Sequence, residues 1–307
     1  MSEPLVQVVR SGLVESVHVG DVAVCHADGR LIASIGDPDT VAFARSCMKP
    51  FQAAVSLAAM DVAVPDTEVA IMCASHNGEP VHVRAVRSLL RRGGLSEADL
   101  QTPAARPFDV EALIRTRRPS SLLHDCSGNH AGMLVASAQA GWPLETYRSR
   151  RHPHHRRLLP MIRELAGAEP VIGVDGCGIP VHGLPLRALA TMYARCATTE
   201  DPFLRRAIDG MRAEPYLVGG RDRDDSSIME AAPDLAVKEG AEALNCGVSM
   251  TAGIGVAVKI ADGGYRAVGP ATVAVLDELG FLPAAARRRL RAPKGVEPIA
   301  HLSTRRS

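Results

Sequence analysis

Strand-like segments sit at both ends of this chain with helical ones between them, and that order limits the folds open to it. Leu5-Val-Gln-Val-Val-Arg10, Val14-Glu-Ser-Val-His-Val19, Asp21-Val-Ala-Val-Cys25 and Leu31-Ile-Ala-Ser34 read as short strands. Gly20, Asp28-Gly29 and Gly36-Asp37 punctuate them, and Asp-Gly is a hairpin signal. Strand character returns at Leu235-Ala-Val-Lys238, Ala243-Leu-Asn-Cys246 and Ile254-Gly-Val-Ala-Val-Lys-Ile260. Helices are expected near 50–60, 66–74, 80–91, 109–116, 130–140, 154–166, 184–197, 201–212, 225–231 and 271–279. One α+β domain over 1–290 satisfies this order: an antiparallel sheet from about 1–45 and 234–280, with a helical insertion of about 46–233. An Arg-rich tail, 291–307, has no pattern that requires it to be ordered.

A length of 307 residues is enough for a full core. The net charge of +1 argues against nucleic acid or an acidic membrane surface as the main partner. No apolar run approaches spanning length and Met1-Ser-Glu-Pro4 lacks signal-peptide character, so the expected location is the cytoplasm. The seven Cys are odd in number and form no Cys-x-x-Cys, so free buried thiols are expected rather than a disulfide framework.

The first chemical candidate is Arg45-Ser-Cys-Met-Lys-Pro50, which leads into an Ala-rich helical pattern. Ser46 and Lys49 are three positions apart, so both side chains can share one face at a helix start. A neutral Lys there can take the hydroxyl proton, and the helix end offers N–H groups to an oxyanion. Burial close to another positive charge, Lys238, is expected to keep Lys49 neutral. Cys47 is adjacent but points about 100° away on a helix. Alone the motif is weak: a Ser cap before a solvated Lys reads the same way.

Four further stretches add to it. Cys73-Ala-Ser-His-Asn-Gly-Glu79 gathers a hydroxyl, an imidazole and a carboxylate in a turn, although a capping Ser75 and a surface His76 fit equally. His124-Asp-Cys-Ser-Gly-Asn-His-Ala-Gly-Met133 and Val174-Asp-Gly-Cys-Gly-Ile-Pro180 each place a Cys among small residues. Two thiolates, Cys126 and Cys177, could hold Zn²⁺ with Asp175, His124 or water; two buried thiols in tight turns fit as well. Lys238-Glu-Gly240 puts a second Lys at a strand end, as Ser-x-x-Lys hydrolases do. Lys259 competes for that role. The run Arg151-His-Pro-His-His-Arg-Arg157 reads as a solvated helix start.

In this order and combination, over nearly the whole chain, these motifs resemble the rhizobial-type (class 3, thermolabile) L-asparaginases. The resemblance implies a serine β-lactamase/glutaminase-like fold and hydrolysis of L-asparagine to L-aspartate and ammonia. It implies Ser46 with Lys49 and Ser75 with Lys238 as two catalytic pairs, and a homodimer. The polar residues Arg45, His76 and Asp175 of the same motifs are assigned to substrate binding. The family's metal pattern is Cys, Lys, Cys; here Cys126 and Cys177 match, while Asn129 stands at the Lys position. An amide is a poor zinc ligand beside thiolates, so weaker zinc binding is expected. Two other readings share these motifs: a β-lactamase or penicillin-binding-like hydrolase, and a non-catalytic zinc- or amino-acid-binding protein.

Overall fold

The computed structural model describes residues 1–304. Alternating apolar residues give strands β1 (Glu3–Arg10), β2 (Leu13–His26) and β3 (Leu31–Ile35), followed by a short β4 (Val41–Phe43). Within the helical region lie β5 (Val171–Val174) and β6 (Pro180–Pro185), and after it come β7 (Leu235–Gly240), β8 (Leu244–Ser249), β9 (Ile254–Ile260), β10 (Val296–Pro298) and β11 (Ser303–Thr304). The order β10-β1-β2-β9-β8-β7, with β3 on β2 and β11 on β3, makes an eight-stranded antiparallel sheet. The two ends of the chain meet where Gly20–His26 of β2 pairs with β9, Val22 opposite Val258.

Both faces of the sheet are covered, because successive residues of a strand point opposite ways. Val22 and Val24 pack into one core with Val237, Val258 and the helix Tyr265–Glu278. Ala23 and Cys25 pack into another with Cys246, Ala257 and the helix Leu186–Thr198. Gly255 lets that second helix lie close, since a Cβ there would collide with the Ala190 carbonyl. The helix Lys49–Leu57 is buried along its whole length and contributes to both cores.

Two parts of the fold depart from the sequence reading. Residues 291–304 are not a free tail: β10 pairs with β1 (Val8 opposite Val296) and β11 with β3. Strands of three and two residues carry too little alternation to be seen. The end of that tail, 305–307, lies outside the described residues. The second departure is a separate three-stranded sheet, β4-β6-β5. Its strands are short, and Pro bounds β6 at both ends. Phe43 pairs with Gly183 and Val171 with the same Gly183, so β6 clamps two distant stretches together. One is the segment that enters Ser46 from β4; the other is the β5–β6 turn that carries Asp175 and Cys177.

Candidate active site

Ser46 lies in a short 3-10 turn, Arg45–Met48, between β4 and the helix Lys49–Leu57. Pro50 occupies the helix's first turn, where no N–H is needed. Arg45 has φ of 48°, a left-handed conformation that a non-Gly residue adopts at a cost of roughly 1–3 kcal/mol. Its guanidinium is held by Asp175, Nε to Oδ1 2.9 Å, so the Cys177 turn braces the strained residue. Two residues on, at Cys47, Tyr193 Oη donates to the carbonyl (2.7 Å) and Sγ donates to the Lys238 carbonyl (3.1 Å). Cys47 is therefore spent on fixing the turn, whereas Ser46 lines a narrow cavity with Lys49, Cys126, Asp175 and Cys177.

Lys49 is buried, and its nitrogen has three acceptors: Ala74 O at 2.6 Å, Ser75 Oγ at 2.9 Å and Cys126 Sγ at 3.3 Å. Here the sequence expectation is corrected. Burial does work to lower the pKa of Lys49, but the Cys126 thiol, Asp125 and Cys177 outweigh it and hold the ammonium above its ordinary value. Lys238 is not what sets the protonation of Lys49. It sits at the start of the Lys238-Glu-Gly240 run of β7, fully buried, paired with Asp225 and donating to the Glu239 carbonyl (2.9 Å). The expected pairing is thus exchanged: Ser75 bonds Lys49, and Lys238 bonds a carboxylate that the sequence reading did not single out. Lys259 is half-buried, facing Glu242, Asp262 and Asp21 instead of the Ser46 cavity, and burial lowers its pKa.

His76 has no accessible surface. Its Nδ1 accepts from Gly78 N (3.1 Å), so Nε2 carries the proton and donates to Ser127 Oγ (2.9 Å). Both ring nitrogens are committed, which rules out the assigned substrate contact. Burial keeps the ring neutral. Arg45 and Asp175 do reach the cavity, but as a pair neutralising each other.

Cys126 Sγ, His124 Nδ1 and Asp125 Oδ1 converge within 4.8 Å of one another. Cys177 lines the same cavity as Cys126 and is the largest of the influences that pull Cys126 down to about 6. Sulfur, imidazole and carboxylate donors around one point are a set that a zinc-like ion takes. His124 Nδ1 faces both the Cys126 N–H (3.1 Å) and Asp125 Oδ1 (2.9 Å), and one nitrogen cannot accept from the first and donate to the second at once. Asn129, in the first turn of the helix Ser127–Ala140, donates Nδ2 to the Met72 carbonyl (3.0 Å), and its buried Oδ1 has no partner. It leaves a polar gap where the resemblance expects a Lys.

Beside this cavity is a cleft of about 630 Å³, with Asn77, Asp125, Arg223, Asp224, Glu239 and Tyr265 among its walls. Asn77 follows Ser75 by two residues, Asp125 precedes Cys126 and Glu239 follows Lys238, so three of the five motifs open onto it. Arg223 forks onto Glu239 (Nη2 to Oε1 2.8 Å) and donates to Asn77 Oδ1 (3.1 Å). Of the other walls, Arg223 and Asp224 fall in the charged run Arg221-Asp-Arg-Asp-Asp225, which the motif reading did not single out.

Among the described residues no helix is long and apolar enough to cross a membrane. The family model for L-asparaginase II matches residues 6–300. No curated protein matches the chain. Among solved structures, Mglu in its glutamate form shares 15% identity at a TM-score of 0.50, over 86% of this chain and 61% of that one. Native Mglu gives 14%, 0.48, 86% and 64%, and a β-lactamase from Mycobacterium bovis 17%, 0.38, 84% and 94%. The chain thus spans less than two thirds of these two Mglu chains. The likeness to the glutamate form is one of fold.

Proposed function

Because the chain belongs to the L-asparaginase II family, we propose that it hydrolyses L-asparagine to L-aspartate and ammonia through an acyl-enzyme on Ser46. The observation that carries the reading is the 2.9 Å contact of Lys49 Nζ with Ser75 Oγ beside a cavity lined by Ser46. Ser75 is 2% exposed, whereas Ser46 is half-buried on the cavity wall, so Ser46 is the hydroxyl that a substrate can reach. The Lys49 ammonium first gives up a proton to solvent; Ser46 Oγ then attacks the side-chain amide carbon and its proton passes to the neutral amine of the Lys49–Ser75 pair. The C–N bond breaks, ammonia leaves with a proton from that pair, and water then cleaves the ester to give L-aspartate. The Cys47 N–H already donates to the Ala44 carbonyl (2.9 Å), so the Ser46 N–H ahead of it is the one proposed for the oxyanion.

In this reading Cys126, Cys177, His124 and Asp125 would hold zinc, which would supply an electropositive contact that orients the substrate. The protein works as a cytoplasmic homodimer, a part of the proposal that rests on the family resemblance. Lys238 is proposed as a positioning residue, since its ammonium is committed to Asp225.

Ammonia release from L-asparagine and L-glutamine, measured beside a chromogenic β-lactam, tests the function. Release from L-asparagine that vanishes in Ser46→Ala supports it. Hydrolysis of the β-lactam instead moves the chain to the lactamase-like reading. Zinc or amino-acid binding without turnover makes it a binding protein.

A further inference from the structure

Three carboxyl-bearing residues of the cleft region, Asp224, Asp225 and Glu239, differ in one respect. Asp225 is paired with Lys238 and Glu239 with Arg223. Asp224 has no cation partner among the described residues; its one side-chain contact is Asn245 Nδ2 at 3.4 Å. The fold makes room for it, because Gly269 on the helix Tyr265–Glu278 faces its carboxylate and a Cβ there would collide with Oδ1. Asp224 nevertheless lines the large cleft, together with Asp109, Asp125, Asp222 and Glu239 and against two guanidiniums, Arg221 and Arg223. An excess of negative charge in the cleft beside the Ser46 cavity is complementary to a cation.

We propose that Asp224 is the counter-ion for the α-ammonium group of the substrate, so that the enzyme accepts amides carrying a free amino group and discriminates against those without one. The inference rests on the amide-hydrolase reading and assigns the recognition of one end of its substrate. Glu239 adds to the negative potential, while Arg223 acts as a positioning residue that fixes Glu239. Burial, with Glu239 and Asp225 close by, pushes the Asp224 carboxyl up to about 7, as befits a carboxylate that lacks its counter-charge.

The test compares L-asparagine with succinamate, which keeps the carboxylate and the amide but lacks the amino group. Wild-type enzyme should prefer L-asparagine, and Asp224→Asn, which preserves size and the contact with Asn245, should remove that preference. Losing a charged hydrogen bond predicts a fall of roughly 10- to 100-fold in kcat/KM for L-asparagine, carried by KM. The rate on succinamate should stay as it was. Equal losses on both compounds, or wild-type enzyme that does not distinguish them, would overturn the assignment. If no ammonia is released from either compound, the hydrolase reading fails separately. Calorimetric binding of L-aspartate against succinate then decides: tighter L-aspartate binding that disappears in Asp224→Asn supports the counter-ion, and any other pattern overturns it.

Discussion

Lys49 Nζ lies 2.9 Å from Ser75 Oγ, although the two residues are 26 positions apart in sequence. The Ala74 carbonyl at 2.6 Å on the same nitrogen fixes the loop as well as the hydroxyl, so the helix start and the Ser75 loop behave as one unit. Residues that act as a unit are not additive. Ser46→Ala should lower kcat by on the order of 10⁴-fold or more with its thermal melt unchanged. Ser75→Ala, Lys49→Arg and the double variant should share one loss instead of multiplying two. Steady-state ammonia release checks this; a Lys49→Arg enzyme at near-normal rate, or full activity in Ser46→Ala with loss in Cys47→Ala, would contradict it.

That contact also shows where sequence reading ends. Motif order brought Ser46, Lys49, Ser75, Cys126 and Cys177 into one site, because each motif carries its own turn chemistry. The alternation of residues such as Val22 and Ala23 fixed which side chains enter which core. What was not legible was pairing between segments. Nothing local to Lys238 says that Asp225 lies against it, nor that His76 spends both nitrogens internally. The three-residue β4 and the β5–β6 hairpin carry no period of their own, yet their register places Cys177 beside Ser46.

The Lys238–Asp225 pair separates structure from chemistry. Both side chains are fully buried, so Lys238→Met leaves Asp225 as an uncompensated buried charge. Such a break costs about 3–5 kcal/mol. Lys238→Met combined with Asp225→Asn removes the stranded charge and keeps one oxygen acceptor, for the Ser226 N–H at 2.9 Å, while giving up the longer 3.3 Å contact with the Glu239 N–H. Urea denaturation should show most of the stability restored in the double variant. If Lys238 only positions β7, activity returns with stability; stability without activity would give Lys238 a direct part in the reaction.

Acid should unfold this protein through its buried histidines. His155 and His182 are buried, and desolvation takes both down to about 4. Near pH 7.5 neither state carries these protons. As the pH falls through about 6.5 the unfolded chain binds them while the fold does not, so stability drops until about pH 4. A difference of that size is worth roughly 3 kcal/mol for each ring. Urea midpoints at pH 7.5, 6 and 5 should decline steadily, and His182→Gln should flatten the decline by close to one proton's worth. An unchanged slope in that variant would mean that His182 is protonated in the fold.

Metal content is the last expectation, and it turns on Cys126 and Asn129. Protein purified without chelator should contain zinc that is lost in Cys126→Ala, since Cys126 is the sulfur common to the His124–Asp125 group and to Cys177. Binding should be weak, because Asn129 spends its amide on the Met72 carbonyl and presents only an unpaired buried oxygen. A lysine in that first helical turn would restore an amine donor, so Asn129→Lys should raise zinc affinity. His124→Ala separates this geometry from the family pattern: a loss of affinity would place the imidazole in the coordination shell, and an unchanged affinity would restrict the shell to the two sulfurs and oxygen. A chain without zinc whose activity ignores chelator would make both Cys structural. Zinc whose removal stops acyl-enzyme formation even at saturating L-asparagine would give the ion a part in bond breaking, where an orienting ion would leave the rate at saturation largely intact.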